Sequence, residues 1–132
     1  MRRFGLVLAM LATTAPAAPA AAQQEWRLAP EYDVLVTSFE IQPRVIHLKA
    51  GEPVRLHFVN NSEQPHRFYA PAFFRSAELR GRDRGLIRGG GLDVAPLSEA
   101  TIAFVPRKGR YSVKGDNLLR RVIGMTARIV VE

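Results

Sequence analysis

The sequence predicts an all-β protein, a Greek-key β-sandwich with one short helix in a loop. Apolar and polar residues alternate almost everywhere after residue 32, which is the pattern of half-buried strands. About seven short strand candidates are separated by closely spaced turn signals, which is typical of two packed sheets. A single segment with helical periodicity interrupts this pattern.

The first strand candidates lie between residues 32 and 60. The segment "YDVLVTSFEI" alternates or runs apolar from Tyr32, and "RVIHLKAGEPVRLHFVNN" holds two candidates divided by the turn signal Ala-Gly-Glu-Pro at 50–53. In the second of these, Val54, Leu56 and Phe58 share one face. That face is predicted to join the core, and the other to meet solvent.

The segment "PAFFRSAELRGR" is the predicted helix. Pro71 suits the first turn, Phe73 and Phe74 lie on one face, and Gly81 is expected to end the helix. The polar, glycine-rich segment from Arg80 to Gly91 then predicts a surface loop.

The strand pattern resumes in "EATIAFVP", "GRYSVKG" and "TARIVVE". Two facing sheets would bury nine apolar residues from all these strands: Val34, Ile46, Leu56, Phe58, Ile102, Phe104, Val113, Ile129 and Val131.

Residues 1–22 have the features of a signal peptide. A basic start precedes an apolar segment, and small residues lead to Ala22, after which we expect cleavage. A membrane anchor needs about 20 apolar residues in a row, whereas this stretch is interrupted at Thr13 and Pro16. The sequence therefore predicts export to the periplasm and one domain, residues 23–132, without a transmembrane segment.

The predicted mature chain is moderately basic and contains no cysteine. Without Arg2 and Arg3 it has 17 basic and 12 acidic side chains, a net charge of +5. This surplus favours an acidic ligand, an acidic periplasmic protein or anionic lipid head groups, and it is too small and scattered to indicate nucleic acid binding. Because the chain lacks cysteine, apolar packing or a ligand must stabilise it where small exported domains often use disulfides. We expect a monomer.

Two longer stretches carry paired motifs. "FEIQPRVIHLKAGEPVRLHFVNNSEQPHRFYAPAFF" contains a Lys-Ala-Gly turn and an Asn-Asn-x-x-x-Pro-His loop, and "VPRKGRYSVKGDNLLRRVIGMTARIVVE" contains a Gly-x-Tyr strand and a Gly-Met pair before the last strand. Together they resemble the two halves of small blue copper proteins of the plastocyanin and azurin type, the cupredoxins. The resemblance covers residues 39–132 and implies a cupredoxin-like sandwich.

The resemblance also implies where copper ligands would lie. A type 1 site uses two imidazoles, one thiolate and a weak axial thioether. The first histidine matches His66 and the methionine matches Met125, but the cysteine position falls on Gly115 and the second histidine on Arg120. Glycine offers no ligand and arginine stays protonated. We therefore expect a degenerate site with no cofactor, and blue-copper electron transfer or oxidase chemistry is opposed by the missing thiolate.

A different metal site is the alternative. His66, Met125 and Asp116 offer a donor set for copper outside a type 1 site, for zinc or for iron. The positive charges of Arg120 and Arg121 oppose it. The simpler interpretation is that His66 is a core histidine bonded to backbone and that Met125 fills the core.

The remaining histidines and the arginines give weaker indications. Alternation places His47 and His57 away from the core, where they would meet only if their strands paired in register. An anion or partner patch is predicted from guanidinium chemistry, provided that the helix and its loop fold toward the end of the sandwich that carries residue 120. The candidate patch consists of Arg75, Arg80, Arg120 and Arg121.

Catalysis has little support in the sequence. "RGGGLD" lacks the Lys-Ser/Thr pair of a phosphate-binding loop, and an enzyme would have to combine His66 with Asp116 or Glu63. We expect no enzymatic activity. The sequence favours a non-redox binding or interaction module in the periplasm, with a metal-binding or metal-delivery protein for copper or iron as the alternative.

Overall fold

The computed structural model describes residues 25–115 and 125–132. The predicted signal peptide (residues 1–22) and the candidate site residues Asp116, Arg120 and Arg121 lie outside these ranges. The strands, in chain order, are β1 (Glu31–Val36), β2 (Ile41–Gln42), β3 (Val45–Leu48), β4 (Val54–Asn60), β5 (His66–Tyr69), β6 (Glu78–Leu79), β7 (Ile87–Arg88), β8 (Gly91–Val94), β9 (Glu99–Val105), β10 (Gly109–Lys114) and β11 (Thr126–Val131).

These strands form two mixed sheets that face each other. The five-stranded sheet has the order β2-β1-β4-β9-β6, and the six-stranded sheet has the order β3-β11-β10-β5-β8-β7. Strand β1 is parallel to β4 and β3 is parallel to β11, whereas the other neighbours are antiparallel. The predicted β-sandwich is confirmed.

The core lies between the sheets, where the alternating positions meet. Strand β4 alternates strictly between buried and half-buried positions along its seven residues, as the sequence predicts for one core face. All nine residues predicted for the core are buried: Val34, Ile46, Leu56, Phe58, Ile102, Phe104, Val113, Ile129 and Val131.

The predicted helix is shorter than expected. It spans Pro71–Ser76, and Ala77 is already extended, with its N–H donating to the carbonyl of Phe73. Glu78 and Leu79 instead pair with the edge of β9. Helical periodicity was a poor guide beyond Ser76 because these residues gain backbone hydrogen bonds to a neighbouring strand.

The segment over residues 80–91 is mostly exposed, as predicted, but it is more regular than the predicted loop. A 3-10 helix occupies Gly81–Leu86, and β7 and β8 form a hairpin beyond it. Gly89 and Gly90 both have positive φ, at 54° and 78°, as a tight turn between two strands requires. Side-chain hydrogen bonds, above all those of Asp83, hold this segment in place, and alternation does not reveal them.

A cluster of aromatic rings attaches the short helix to both sheets. The ring of Phe73 makes edge contacts with Phe104 at 5.2 Å and with Tyr111 at 5.4 Å between centroids. Phe58 and Phe68 meet across the sheets at 4.7 Å. Such edge contacts add about 0.5–1.5 kcal/mol each beyond area burial, so the helix is held firmly although it has only six residues.

Candidate functional site

A buried polar network holds the loop that leads into β5. The Asn60 side chain is 1% exposed, and its Nδ2 donates to the carbonyls of Gln64, Val94 and Ala95 at 2.8–3.0 Å. Its Oδ1 accepts from the backbone N–H of Ser62 at 3.1 Å and from the Ser62 hydroxyl at 2.8 Å. The loop is therefore fixed by side-chain hydrogen bonds in place of a β-ladder.

His66 begins β5 at the end of this network and is 4% exposed. Its Nε2 lies 2.9 Å from the Ser62 hydroxyl oxygen. The Ser62 hydroxyl oxygen also lies 2.8 Å from Asn60 Oδ1 and 3.1 Å from the carbonyl oxygen of Gln64, so the His66 ring is joined to the buried network. His66 is thus buried at the start of a strand, and Nε2 contacts a side-chain hydroxyl where the sequence analysis expected a backbone group.

His66, Gly115 and Met125 meet at one small cavity. It is lined mainly by apolar groups and has space for about one water molecule. Gly115 is buried, and Met125 is 2% exposed within the hydrophobic core. The structure thus brings together three of the four positions that the resemblance assigns to copper ligands. The full lining is Val36, Ile41, His66, Arg67, Phe68, Val94, Gly115 and Met125.

The donors at this cavity do not fit type 1 copper. The sequence contains no cysteine, and Gly115 offers no side chain at the thiolate position. One imidazole and one thioether are left, without the strong thiolate bond that defines such a site. Arg67 also lines the cavity, but its guanidinium is bound to Asp93 at 2.9 Å and to the carbonyl of Arg88.

Of the predicted anion patch, the structure describes Arg75 and Arg80, whereas Arg120 and Arg121 lie outside the described residues. Arg75 lines a groove with Arg84 and Arg107, next to the start of β10. Gly115 follows the other end of that strand, about 20 Å away at the usual rise for six residues. Arg80 is committed elsewhere, because its Nε and Nη2 both lie 2.8 Å from Asp83 Oδ2. Arg75 and Arg80 therefore do not gather at the end of the sandwich that carries Gly115.

The two outward-facing histidines do not meet. His47 lies on β3 of the six-stranded sheet and His57 on β4 of the five-stranded sheet, so they occupy opposite outer faces. His57 instead contacts two carboxylates: Nδ1 lies 2.8 Å from Asp33 Oδ1, and Nε2 lies 3.3 Å from Glu99 Oε2. The hydrogen bond to Asp33, followed by the influence of Glu99, raises the pKa of His57 against the opposing effect of burial.

His57, Asp33 and Glu31 also group their ligand atoms within 4.8 Å of one another. Arg55 lies 3.5 Å from Glu31 and partly neutralises the group. Alternation predicted that His57 lies away from the core, but the parallel register that joins Asp33 to His57 came only from the structure. A metal titration must therefore distinguish ions bound by this surface cluster from ions bound by His66.

Buried polar residues escaped prediction from the sequence. Asn60, Ser62 and Asp83 are all at most 5% exposed, and alternation singled out none of them. The Asn-Asn-Ser sequence before Pro65 is a turn signal, and it was the one indication for the first two. Asp83 has no comparable local signal because its acceptor role depends on Ala103, which is distant in sequence.

The fold and the cavity define a two-sheet sandwich that retains the framework of a cupredoxin site without its thiolate. The cupredoxin-like domain family matches residues 4–119, which is most of the chain. A solved structure of auracyanin B is similar with a TM-score of 0.54 and 16% sequence identity, over 79% of this chain and 89% of that one. No curated protein sequence matches. The chain belongs to the cupredoxin-like domain family.

Helices in the described part of the chain are short. Among residues 25–115 and 125–132, no helix is long and apolar enough to cross a bilayer.

Proposed function

We propose that this chain is an exported cupredoxin-like protein with a degenerate type 1 copper site, and that it acts as a non-redox, non-enzymatic binding module in the periplasm. One observation carries the proposal: Gly115 is buried beside His66 and Met125 at the cavity where the family resemblance requires a thiolate. The framework of the site is kept while its strongest ligand is absent.

Thiolate chemistry explains why this single position matters. A trigonal set of two imidazoles and one thiolate suits both copper oxidation states with little rearrangement. Without the sulfur, the remaining imidazole and thioether form an incomplete set for electron transfer. The apolar core between the two sheets supplies the packing that stabilises the sandwich.

Export is part of the proposal and is supported by the sequence of residues 1–22. The basic start, apolar segment and small residues before Ala22 are typical of a secretory signal. N-terminal sequencing of the protein from the periplasmic fraction is expected to begin at Gln23. Retention of residues 1–22 on a membrane-bound product would contradict the proposed periplasmic location.

A metal-binding or delivery protein is the second candidate, and the geometry of His66 favours it. The contact between Nε2 and the Ser62 hydroxyl orients the ring, as hydrogen-bond partners do for ligating histidines. Met125 lines the same cavity. Asp116 would complete the set that the sequence suggests.

Metal analysis of the exported protein distinguishes the two candidates. Elemental analysis and titration with copper(I), copper(II), zinc and iron(II) are expected to show no stoichiometric site that depends on His66. The variant His66→Gln is compared with His57→Gln, which removes the imidazole of the surface cluster. Tight binding that His66→Gln abolishes and His57→Gln preserves would establish the metal-binding function and refute the degenerate site.

Restoring ligands provides a positive control. The double variant Gly115→Cys with Arg120→His supplies the thiolate and the second imidazole that the resemblance assigns. It is expected to bind copper(II) with the intense visible absorption of a thiolate-copper bond. A colourless variant would show that position 115 does not correspond to the ligand position.

A further inference from the structure

The outer face of the six-stranded sheet carries three cations on two neighbouring strands. Arg110 and Lys114 point outward from β10, and Arg128 points outward from β11, all of them exposed. The intervening inward positions, Val113 and Ile129, are buried in the core. We call Arg110, Lys114 and Arg128 the basic face.

The register brings these three charges close together. Arg128 is the direct partner of Ser112, and Arg110 and Lys114 lie two residues to either side of Ser112 on the same face. Diagonal neighbours of this kind have their Cβ atoms about 7–8 Å apart. An anionic surface that faced this sheet would therefore meet all three cations together.

Two other cations on or beside this sheet have carboxylate partners, and the basic face does not. Arg67 is bound to Asp93 at 2.9 Å, and Lys49 lies 3.2 Å from Glu52. Within residues 25–115 and 125–132, Arg110, Lys114 and Arg128 form no ion pair. No carboxylate of the described residues therefore forms an ion pair with the basic face.

The opposite side of the sandwich has the complementary character. The outer face of the five-stranded sheet carries the carboxylates of Glu31, Asp33 and Glu99 around Arg55 and His57. A molecule with cations on one broad face and carboxylates on the other is oriented by an electric field. A planar anionic surface would attract the six-stranded sheet and turn the five-stranded sheet away.

We propose that the basic face docks the exported protein on an anionic phospholipid surface. The cations stand on a sheet with Ser112 and Thr126 between them, and a shallow depression there is lined in part by Lys114 and Arg128. Protein interfaces often centre on aromatic anchors. Next to Arg128, among the described residues, the exposed large apolar side chain is that of Val45 on β3, which is not aromatic. Guanidinium groups bind phosphate oxygens in a fork.

The inference deepens the proposed binding function, because it depends on export to reach the bilayer, and it names the partner. It does not depend on whether a metal occupies the cavity, since the basic face belongs to the outer side of the sheet. Juxtamembrane basic residues contribute about fivefold in membrane affinity each. Attachment through three cations is therefore weak, reversible and sensitive to salt.

Vesicle flotation tests the proposal with the exported protein. Vesicles containing phosphatidylglycerol are compared with vesicles of phosphatidylcholine alone, at low ionic strength. The triple variant Arg110→Gln, Lys114→Gln, Arg128→Gln is expected to lose about 100-fold in affinity for the anionic vesicles. Added salt is expected to release the unmodified protein.

The matched control removes the same charge elsewhere. Arg75, Arg84 and Arg107 are exposed and line the groove beside the helix, so replacing all three by Gln changes the net charge equally and is expected to cost less than about fivefold. Equal losses in both triple variants, equal binding to both vesicles, or no vesicle binding by the unmodified protein would overturn the proposal. If the protein did not bind vesicles, an acidic protein would be the remaining candidate partner for the basic face.

The outcome can be read separately from that of the metal titration. A His66-dependent metal site would refute the degenerate copper site without changing vesicle binding. Failure of vesicle binding would refute the basic-face proposal and would leave the proposal of a degenerate copper site unchanged.

Discussion

Replacing Asp83 by Ala is expected to destabilise the sandwich strongly. The Asp83 side chain is 6% exposed, and its Oδ2 accepts hydrogen bonds from Arg80 Nε at 2.8 Å and from the backbone N–H of Ala103 at 2.9 Å, while Arg80 Nη2 also lies 2.8 Å from this oxygen. This side chain links the 3-10 helix to β9 and to the residue that follows β6. The truncation therefore leaves a half-buried cation and a buried N–H without their acceptor.

The magnitude follows from these contacts. Removing one partner of a buried, hydrogen-bonded ion pair costs about 3–5 kcal/mol. The Arg80 side chain is 15% exposed, so water can partly replace the lost carboxylate, and the lower end, about 3 kcal/mol, is expected. For a domain of about 110 residues, with about 2.1 cal/mol/K of unfolding entropy per residue, this lowers Tm by about 13 °C.

Asp93 provides a control of the same residue type with the same kind of partner. It is also bound by an arginine, Arg67, at 2.9 Å, but its side chain is 66% exposed. Asp93→Ala is expected to cost less than about 1 kcal/mol. Urea unfolding followed by circular dichroism gives both free energies. Equal losses for Asp83→Ala and Asp93→Ala would refute the argument from burial.

Three further predictions concern single residues. Asn60→Ala is expected to cost about 3 kcal/mol or more in urea unfolding, because three backbone carbonyls lose their donor in the buried loop; a loss under about 1 kcal/mol would contradict the network. Gly90→Ala is expected to destabilise measurably in thermal unfolding, since φ is 78° and a Cβ would lie 2.6 Å from Pro71 Cβ, whereas Gly85→Ala, with nothing within 4 Å, should be nearly neutral. Because the pKa of His57 is raised in the folded protein, its ion pairs contribute to the free energy of unfolding below about pH 6.5, and this contribution is lost as the pH rises through the pKa of the folded state. Because Asp33 is 78% exposed, His57→Gln should remove less than about 1 kcal/mol at pH 5.5 and almost nothing at pH 8.5; the same loss at both values would show that the ion pair is unimportant.

The two carboxylate sites illustrate how burial decides the value of an ion pair. Asp83 is enclosed and Asp33 is not, although both lie 2.8 Å from a basic side chain. Low polarity around Asp83 makes the pair costly to break, while water around Asp33 screens it. The distance alone would have ranked them equally.

The cavity shows what family resemblance contributes beyond alternation. Period-two patterning assigned Val34 and Phe104 to the core, but it says nothing about which loop residues converge. The motifs around Pro65-His66 and Gly124-Met125 placed His66, Gly115 and Met125 at one site, and the structure confirms that all three line one cavity. These three residues converge because β5, β10 and β11, which carry or adjoin them, are neighbours in the six-stranded sheet.

The sequence by itself determined the core strands and the absence of a thiolate. Alternation within a strand is local, so the burial of Leu56 or Ile129 follows from a few neighbouring residues, and a chain without cysteine cannot build type 1 copper whatever its conformation. Only the tertiary structure decided the end of the helix at Ser76, the enclosure of Asp83, and the register that sets His57 beside Asp33 and groups the basic face. These depend on partners distant in the chain, because a backbone donor or an opposing charge decides a residue's role only after the strands have paired.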